Sequence, residues 1–436
     1  MRENFLLGTR GAVRLYREYA APLPIIDYHN HISVADIAAD RRYENLTELW
    51  LAPDPYKHRL MRICGIAERF ITGDAEPYEK FEKFCGIFPL LAGNPVYDWS
   101  RMELSALFGI EEMPTADSAA RIYDKVGEML KSPEYFCRSI LSRFRIEYQS
   151  PVASLLDDLS PFGAAGVAPS LRADPLLSPT EGFLAGLRQA TGAEISDTAS
   201  YVMAVSVMLD RFDAAGCRFA DHALDADFFE GDTDGKRAEL LRLLGIEYAR
   251  RGWTLLLHMN AKRQTSDRLA RLAGPAGGYS GVGNRFDMAA VCDLLNGMES
   301  GGGLPDTVLF PLNLSDQAAC AVLQGSFSED GVASKVQLGP AWWWCDHAMG
   351  IGHALSCISS FGALSQFIGM TTDSRSILSF VRHDFFRRLL CTWIDAQNRR
   401  GDWELPMRLQ GELVSKICYR NALDKIRRRE KNCVQK

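Results

Sequence analysis

Histidine is scarce in this chain, at eight of 436 residues, and several other features are missing altogether. The 11 cysteines are scattered, odd in number and never spaced C-x-x-C. That excludes a disulfide framework or a zinc knuckle and fits thiols kept reduced in a cytoplasm. No apolar run reaches the roughly 18 residues of a membrane span. The start, MRENFLLGTRGAVRLY, reads as an amphipathic helix and not as a signal peptide, so a cytoplasmic protein is expected. Positive charge is not in excess. With a formal net charge of -6, neither nucleic acid nor a membrane surface is expected as a partner, and the basic run KIRRREKNC (425–433) reads as a solvated helix end. The glycine-rich GPAGGYSGVGN (274–284) does not join a strand to a helix in the dinucleotide-binding manner and is expected to be a flexible loop. The remainder, 47% hydrophobic and 24% charged, is ordinary globular composition that supports a large core and a small-molecule partner. A homo-oligomer is left open, since composition does not locate exposed patches.

Short β-rich runs bounded by turn residues occur at 24–31, 145–151, 166–172, 217–223, 253–259, 307–313, 335–341 and 367–374. From the second run onward they alternate with helical patterns such as LLRLLGIEYARRG. Eight strands in β–α alternation predict an α/β protein with a (β/α)8 barrel. The rhythm breaks only between 32 and 144, which is long and helix-rich. The expected organisation is therefore an N-terminal helix and first strand (1–31), a helical insertion (32–144), the rest of the barrel (145–384) and closing helices (385–436).

Barrels of this kind carry their chemistry at the C-terminal ends of the strands. Four of the eight histidines fall there: His29 and His31 in IIDYHNHIS, His222 beside Asp221, and His258. Arg172, Asn313 and the pair Asp373 and Arg375 close other strands. A lone strand-end histidine is usually a hydrogen-bonded structural residue. The H-x-H pair is different, because residues i and i+2 of a strand share a face. Two imidazoles plus a carboxylate from another strand form a metal-ligand set that leaves positions for water or substrate.

Long, specific stretches carry a family resemblance: NFLLGT, AVRLYREYA and PIIDYHNH at the start, YEKFEKF and NPVYDW in the insertion, and SLRADP, GCRFADHALD, GIEYARRGW and GMTTDSRSILSFVRHDFFRRLLC later. On these the chain resembles the bacterial uronate isomerases of the amidohydrolase superfamily, nearly end to end. The resemblance implies a modified TIM barrel that converts a hexuronate aldose to its ketose, glucuronate to fructuronate or galacturonate to tagaturonate. It implies a divalent metal, taken to be zinc, surrounded by His29, His31 and Asp373, and a sugar-acid site lined by Arg172, Arg375 and Tyr56. Asp373 is the candidate proton-transfer carboxylate, with Arg375 and Tyr56 as its catalytic partners. Further substrate contacts are expected from His222, His258, Asn313 and Trp343.

The chain also departs from the family pattern. Where the family reads D-H-Y-K-W-R, this chain reads DPYKHR (54–59), so an active-site histidine has become Pro55, with His58 nearby. T-T-D-D-P has become EYQSP (147–151), replacing two carboxylates with Gln149 and Ser150. H-x-G-A-x-R-N-N-N has become HMNAKRQTS (258–266), and W-W-F-N-D has become WWWCD (342–346). The alternatives these changes raise are a metal-dependent hydrolase of the same superfamily and a sugar-acid binder without turnover.

Overall fold

The computed structural model describes residues 3–275 and 277–434, with side chains described as far as Arg427; Cys433 and the end of the basic run 425–433 lie beyond those side chains. Seven parallel strands form one curled sheet: β1 (Ile25–Asn30), β2 (Ile146–Ser154), β3 (Ser170–Arg172), β4 (Phe219–Leu224), β5 (Thr254–Met259), β8 (Asp306–Pro311) and β9 (Val336–Leu338), hydrogen-bonded in that order. The short antiparallel pair β6 (Ala261–Lys262) and β7 (Gly281–Val282) stands apart. Strands β1 and β5 are buried along their whole length. This suits the near-continuous apolar runs of a parallel sheet covered on both faces.

Helices between the strands start and stop where their sequences direct. Asp197 and Ser200 form a capping box for Thr198–Ala214, and Gly252, in the left-handed region, ends Lys236–Arg251 ahead of β5. Between β1 and β2 the described chain is helical throughout, packed around Trp50, Phe81, Phe84 and Phe88. In this segment Asp54 caps the helix Pro55–Ile63 and Trp99 of the helix Pro95–Phe108 meets Phe385 edge-on. These contacts bring Tyr56 over the mouth of the barrel. No helix among the described residues is long and apolar enough to cross a membrane.

The eighth expected strand, 367–374, is the one that does not form. Gly369 has φ +85° and packs so closely on the Ile417 carbonyl that a Cβ would collide with it, and Asp373 has φ +46°. A chain that enters the left-handed region twice in five residues leaves the β conformation and its ladder. The barrel nevertheless closes, largely through side chains. On one seam Gln337 of β9 accepts the Ile368 N–H at 2.9 Å. On the other, His29 accepts the Asp373 N–H at 3.1 Å, His31 donates its N–H to Ser374 at 2.8 Å, and Asp27 of β1 gathers the donors. The Asp27 carboxylate takes the Thr372 N–H (2.7 Å) and hydroxyl (2.8 Å), the Asn30 amide (2.8 Å) and the His383 ring (3.1 Å), with the Thr371 hydroxyl 2.9 Å away. Burial raises its pKa, but His383 and these donors outweigh burial and hold it below the usual carboxylate value. The distorted (β/α)8 barrel is thus clasped at its last stave by a wholly buried carboxylate.

Removing that carboxylate strands several buried donors, so Asp27→Ala is expected to lower unfolding free energy by about 3–5 kcal/mol in a urea titration. A loss below about 1 kcal/mol would mean the seam is held by other contacts.

Candidate active site

A cavity of about 500 Å³ opens at the C-terminal ends of the strands. Its floor is made by His29 and His31 from β1 and the residue after it, Asp221 from β4, His258 from β5 and Asp373 from the irregular eighth segment. His31 Nε2 lies 3.0 Å and His29 Nε2 3.4 Å from Asp373 Oδ1. Asp221 Oδ1 is 2.6 Å from His258 Nδ1, while its Oδ2 is 4.0 Å from His29 Nε2. The rings of His29 and His258 are 5.0 Å apart.

Two sets of three, His29 with His31 and Asp373 and His29 with Asp221 and His258, each bring their candidate ligand atoms within 4.8 Å of one another. His29 Nε2, His31 Nε2 and His258 Nδ1 face the carboxylates, and the other ring nitrogens of His29 and His258, both buried, have no hydrogen-bond partner among the described residues. Unpaired buried polar atoms are costly, and imidazole nitrogens converging with two carboxylates are the donor set a divalent cation requires. The residues therefore fit a metal ion. The electrostatics agree. Burial raises both carboxylates, but the histidines outweigh it and hold Asp373 and Asp221 well below the usual range. Burial likewise lowers His29, but Asp221 and Asp373 outweigh it and hold its pKa above 6.5, whereas at His31 burial wins and the pKa falls.

The wall carries the cations. Arg172, paired in register with Asp221 across β3 and β4, places Nη1 3.3 Å from His31 Nδ1. Arg375 lines the cavity and makes no hydrogen bond or ion pair among the described residues. Arg263 sits over the Trp343 ring at 5.5 Å and is held by Asp225. Tyr56 lines the same cavity, half-buried and edge-on to Trp344 at 5.4 Å. Both Asp373 (φ +46°) and Trp343 (φ +47°) hold left-handed backbone conformations. Such strain persists only where the surroundings impose it and is concentrated at working sites.

Comparison with known proteins decides the family. The glucuronate isomerase family model matches residues 1–239 and 230–425. The chain belongs to the glucuronate isomerase family. Among curated relatives, the uronate isomerase of Marinomonas sp. is 37% identical, and that of Caldanaerobacter subterraneus subsp. tengcongensis 34%, each covering 97% of this chain and 98% of the relative. The crystal structure of uronate isomerase from Thermotoga maritima superposes with a TM-score of 0.89 at 26% identity, over 97% of this chain and 99% of that one. The glucuronate isomerase of Caulobacter crescentus, at 21% identity and a TM-score of 0.87, shares the fold.

Within this member of the family the expected site residues divide. His29, His31, Tyr56, Arg172, His258, Trp343, Asp373 and Arg375 all line the one cavity. His222 and Asn313 do not. His222 points outward, its Nε2 2.9 Å from the Tyr248 hydroxyl in the covering helix, and Asn313 caps the turn after β8 and donates to the Gly283 carbonyl. Asp221 takes the place expected for His222, because neighbours on a strand face opposite ways; that alternation was the available signal. His258 joins the floor cluster and not the wall.

The altered positions divide too. Pro55 and Gln264 line the cavity, while Gln149 and Ser150 lie outside it. His58 does not replace the lost histidine; it faces away from the cavity, and burial pushes its pKa down to about 4. The glycine-rich segment, expected to be flexible, is pinned: Arg59 donates to the Gly278 and Ser280 carbonyls at 3.3 Å and Trp344 Nε1 donates to Ser280 at 3.0 Å. Gly278, with φ +78°, packs directly on Pro55. Ten cysteines are free thiols, with no disulfide among the described residues.

Two outcomes follow from this geometry. His29→Ala and Asp373→Ala are expected to lower tightly bound divalent metal per chain about tenfold or more, as measured by plasma mass spectrometry, and His222→Asn to leave it unchanged. Stability is expected to fall with acid. Burial holds both His58 and His222 near pKa 4 against an ordinary 6.5, so the unfolded chain protonates first. Their contribution is complete above pH 6.5 and is lost as pH falls from 6.5 toward 4, about 2 kcal/mol per histidine between pH 7 and pH 5. Urea midpoints at the two pH values check it.

Proposed function

We propose that this chain is a hexuronate isomerase, converting D-glucuronate to D-fructuronate, D-galacturonate to D-tagaturonate, or both, by moving a proton between C2 and C1. The observation that carries the reading is the unpaired Arg375 beside Arg172 in the same cavity as the Asp373 carboxylate. Such a cavity has guanidinium forks for the sugar's carboxylate and a proton acceptor for its other end.

The chemistry needs a base at C2, stabilisation of the enediolate and return of the proton at C1. Arg172 and Arg375 hold the sugar's carboxylate and fix which carbon faces the floor. Asp373 accepts the C2 proton and returns it to C1, and its strained backbone aims the carboxylate into the cavity. Its depressed pKa makes it a weak base alone, so lowering the cost of the enediolate falls to the donors around it, the Tyr56 hydroxyl and Arg375. Trp343 offers a face for the sugar ring, and the pinned glycine-rich segment narrows the entrance to water. His29, His31 and Asp373, with Asp221 and His258 behind them, would hold a divalent ion, which we assign as zinc on the imidazole-rich donor set; bound there, it would polarise the sugar's carbonyl and hydroxyl oxygens. Free thiols suit a reducing cytoplasm as the site of action.

The test is a proton NMR time course of metal-analysed protein with each sugar in D₂O. Loss of the C2 proton with growth of a ketose that has gained no water, whether or not it carries solvent deuterium at C1, is expected, and Asp373→Asn should slow both by about 10²–10⁴-fold. A product heavier by one water would replace this reading with hydrolysis, and no ketose from either sugar would leave a binder.

A further inference from the structure

Arg382 belongs to the helix Val381–Arg399 and is only 3% exposed. Its Nε donates to Asp346 Oδ2 at 2.9 Å and its Nη2 donates to the same oxygen. Asp346 is equally enclosed, at 2% exposed, and lies two residues after the tryptophan run of the cavity wall. The guanidinium carbon lies 4.5 Å from the centre of the Trp99 ring and 5.5 Å from that of Tyr56. Tyr56 meets Trp99 edge-on at 5.8 Å.

The backbone of Tyr56 is fixed by the Asp54 cap, whose Oδ1 accepts its N–H at 2.9 Å. The side chain is held differently. Its hydroxyl makes no hydrogen bond among the described residues, so ring packing and one cation set the direction in which the phenol points. A buried ion pair contributes little net stability compared with apolar residues of the same volume, whereas a planar cation against a ring face fixes an angle.

We propose that Arg382 is a positioning residue for Tyr56: anchored by Asp346, its guanidinium plane holds the phenol ring so that the hydroxyl faces the sugar acid above Asp373. This assignment rests on the isomerase reading. Arg382 touches no substrate and acts through Tyr56 alone.

The test is a double-mutant cycle. Arg382→Lys keeps the charge and a bond to Asp346 but has no plane to stack, and it should lower kcat about tenfold or more while KM stays within about threefold. In the Tyr56→Phe enzyme the same change should cost less than about threefold in kcat, because the hydroxyl it positions is gone. Arg382→Met and Trp99→Leu, which strip the stack from either side, should follow the same rule, and thermal melts identify any variant that fails to fold. An equal kcat loss in both backgrounds, or a loss confined to KM, overturns the assignment. An active wild type with an unimpaired Arg382→Lys variant overturns this assignment alone, whereas a wild type without turnover counts against it and the isomerase reading together.

Discussion

The Asp27 carboxylate holds the first and last staves of the barrel together, where the backbone contributes the bonds of Asp373 to His29 and of His31 to Ser374 but no regular strand. Buried without a counter-cation of fixed charge, it is stabilised by the Thr372 and Asn30 donors and the His383 ring. Its position two residues before His29 sets the register between β1 and the segment that carries Asp373. A slip of one residue along that seam would turn His29 and His31 out of the cavity and Asp373 away from them. The irregular stave is therefore a working feature. The left-handed backbone at Asp373, which breaks the ladder, is also what points its carboxylate at the two imidazoles.

The cavity concentrates charges of both signs under low exposure. Asp221 and Asp373 on the floor are each held ionised by imidazoles, and the arginines on the wall leave Arg375 without a partner. Burying this many groups is unfavourable unless a ligand completes the pairing. The imidazoles and carboxylates that converge on the floor and the guanidinium of Arg375 on the wall mark where the pairing is incomplete, a cation below and an anion above. A sugar acid bridging those two places would satisfy both.

Much of this was legible in the sequence, for identifiable reasons. Seven of eight strands appear where apolar runs lie between turn signals, and the H-x-H pair faces inward as the period of a strand requires. The long stretches from PIIDYHNH to GMTTDSRSILSF carried the family. The eighth strand failed because the left-handed conformations at Gly369 and Asp373 depend on packing against Ile417 and on the Asp27 clasp, which no local pattern reveals. His222 was favoured over Asp221 by residue type although alternation permits only one of them to face the cavity. Asn313 lies just past β8, where a side chain caps a turn and does not reach the cavity. Arg382 and Asp346 gave no signal, since 36 residues of chain separate two halves of one ion pair. The glycine-rich segment read as flexible because its anchors, Arg59 and Trp344, are distant in sequence.

Where a metal and a sugar acid bind is the decisive question for this cavity. In crystals grown with a divalent ion and a non-isomerisable hexonate, an anomalous-difference map would locate the metal and omit difference density the hexonate. A metal peak among His29, His31 and Asp373 is expected, with the hexonate carboxylate on Arg172 and Arg375. A metal peak elsewhere, or a hexonate bound outside this cavity, would contradict this reading of the site.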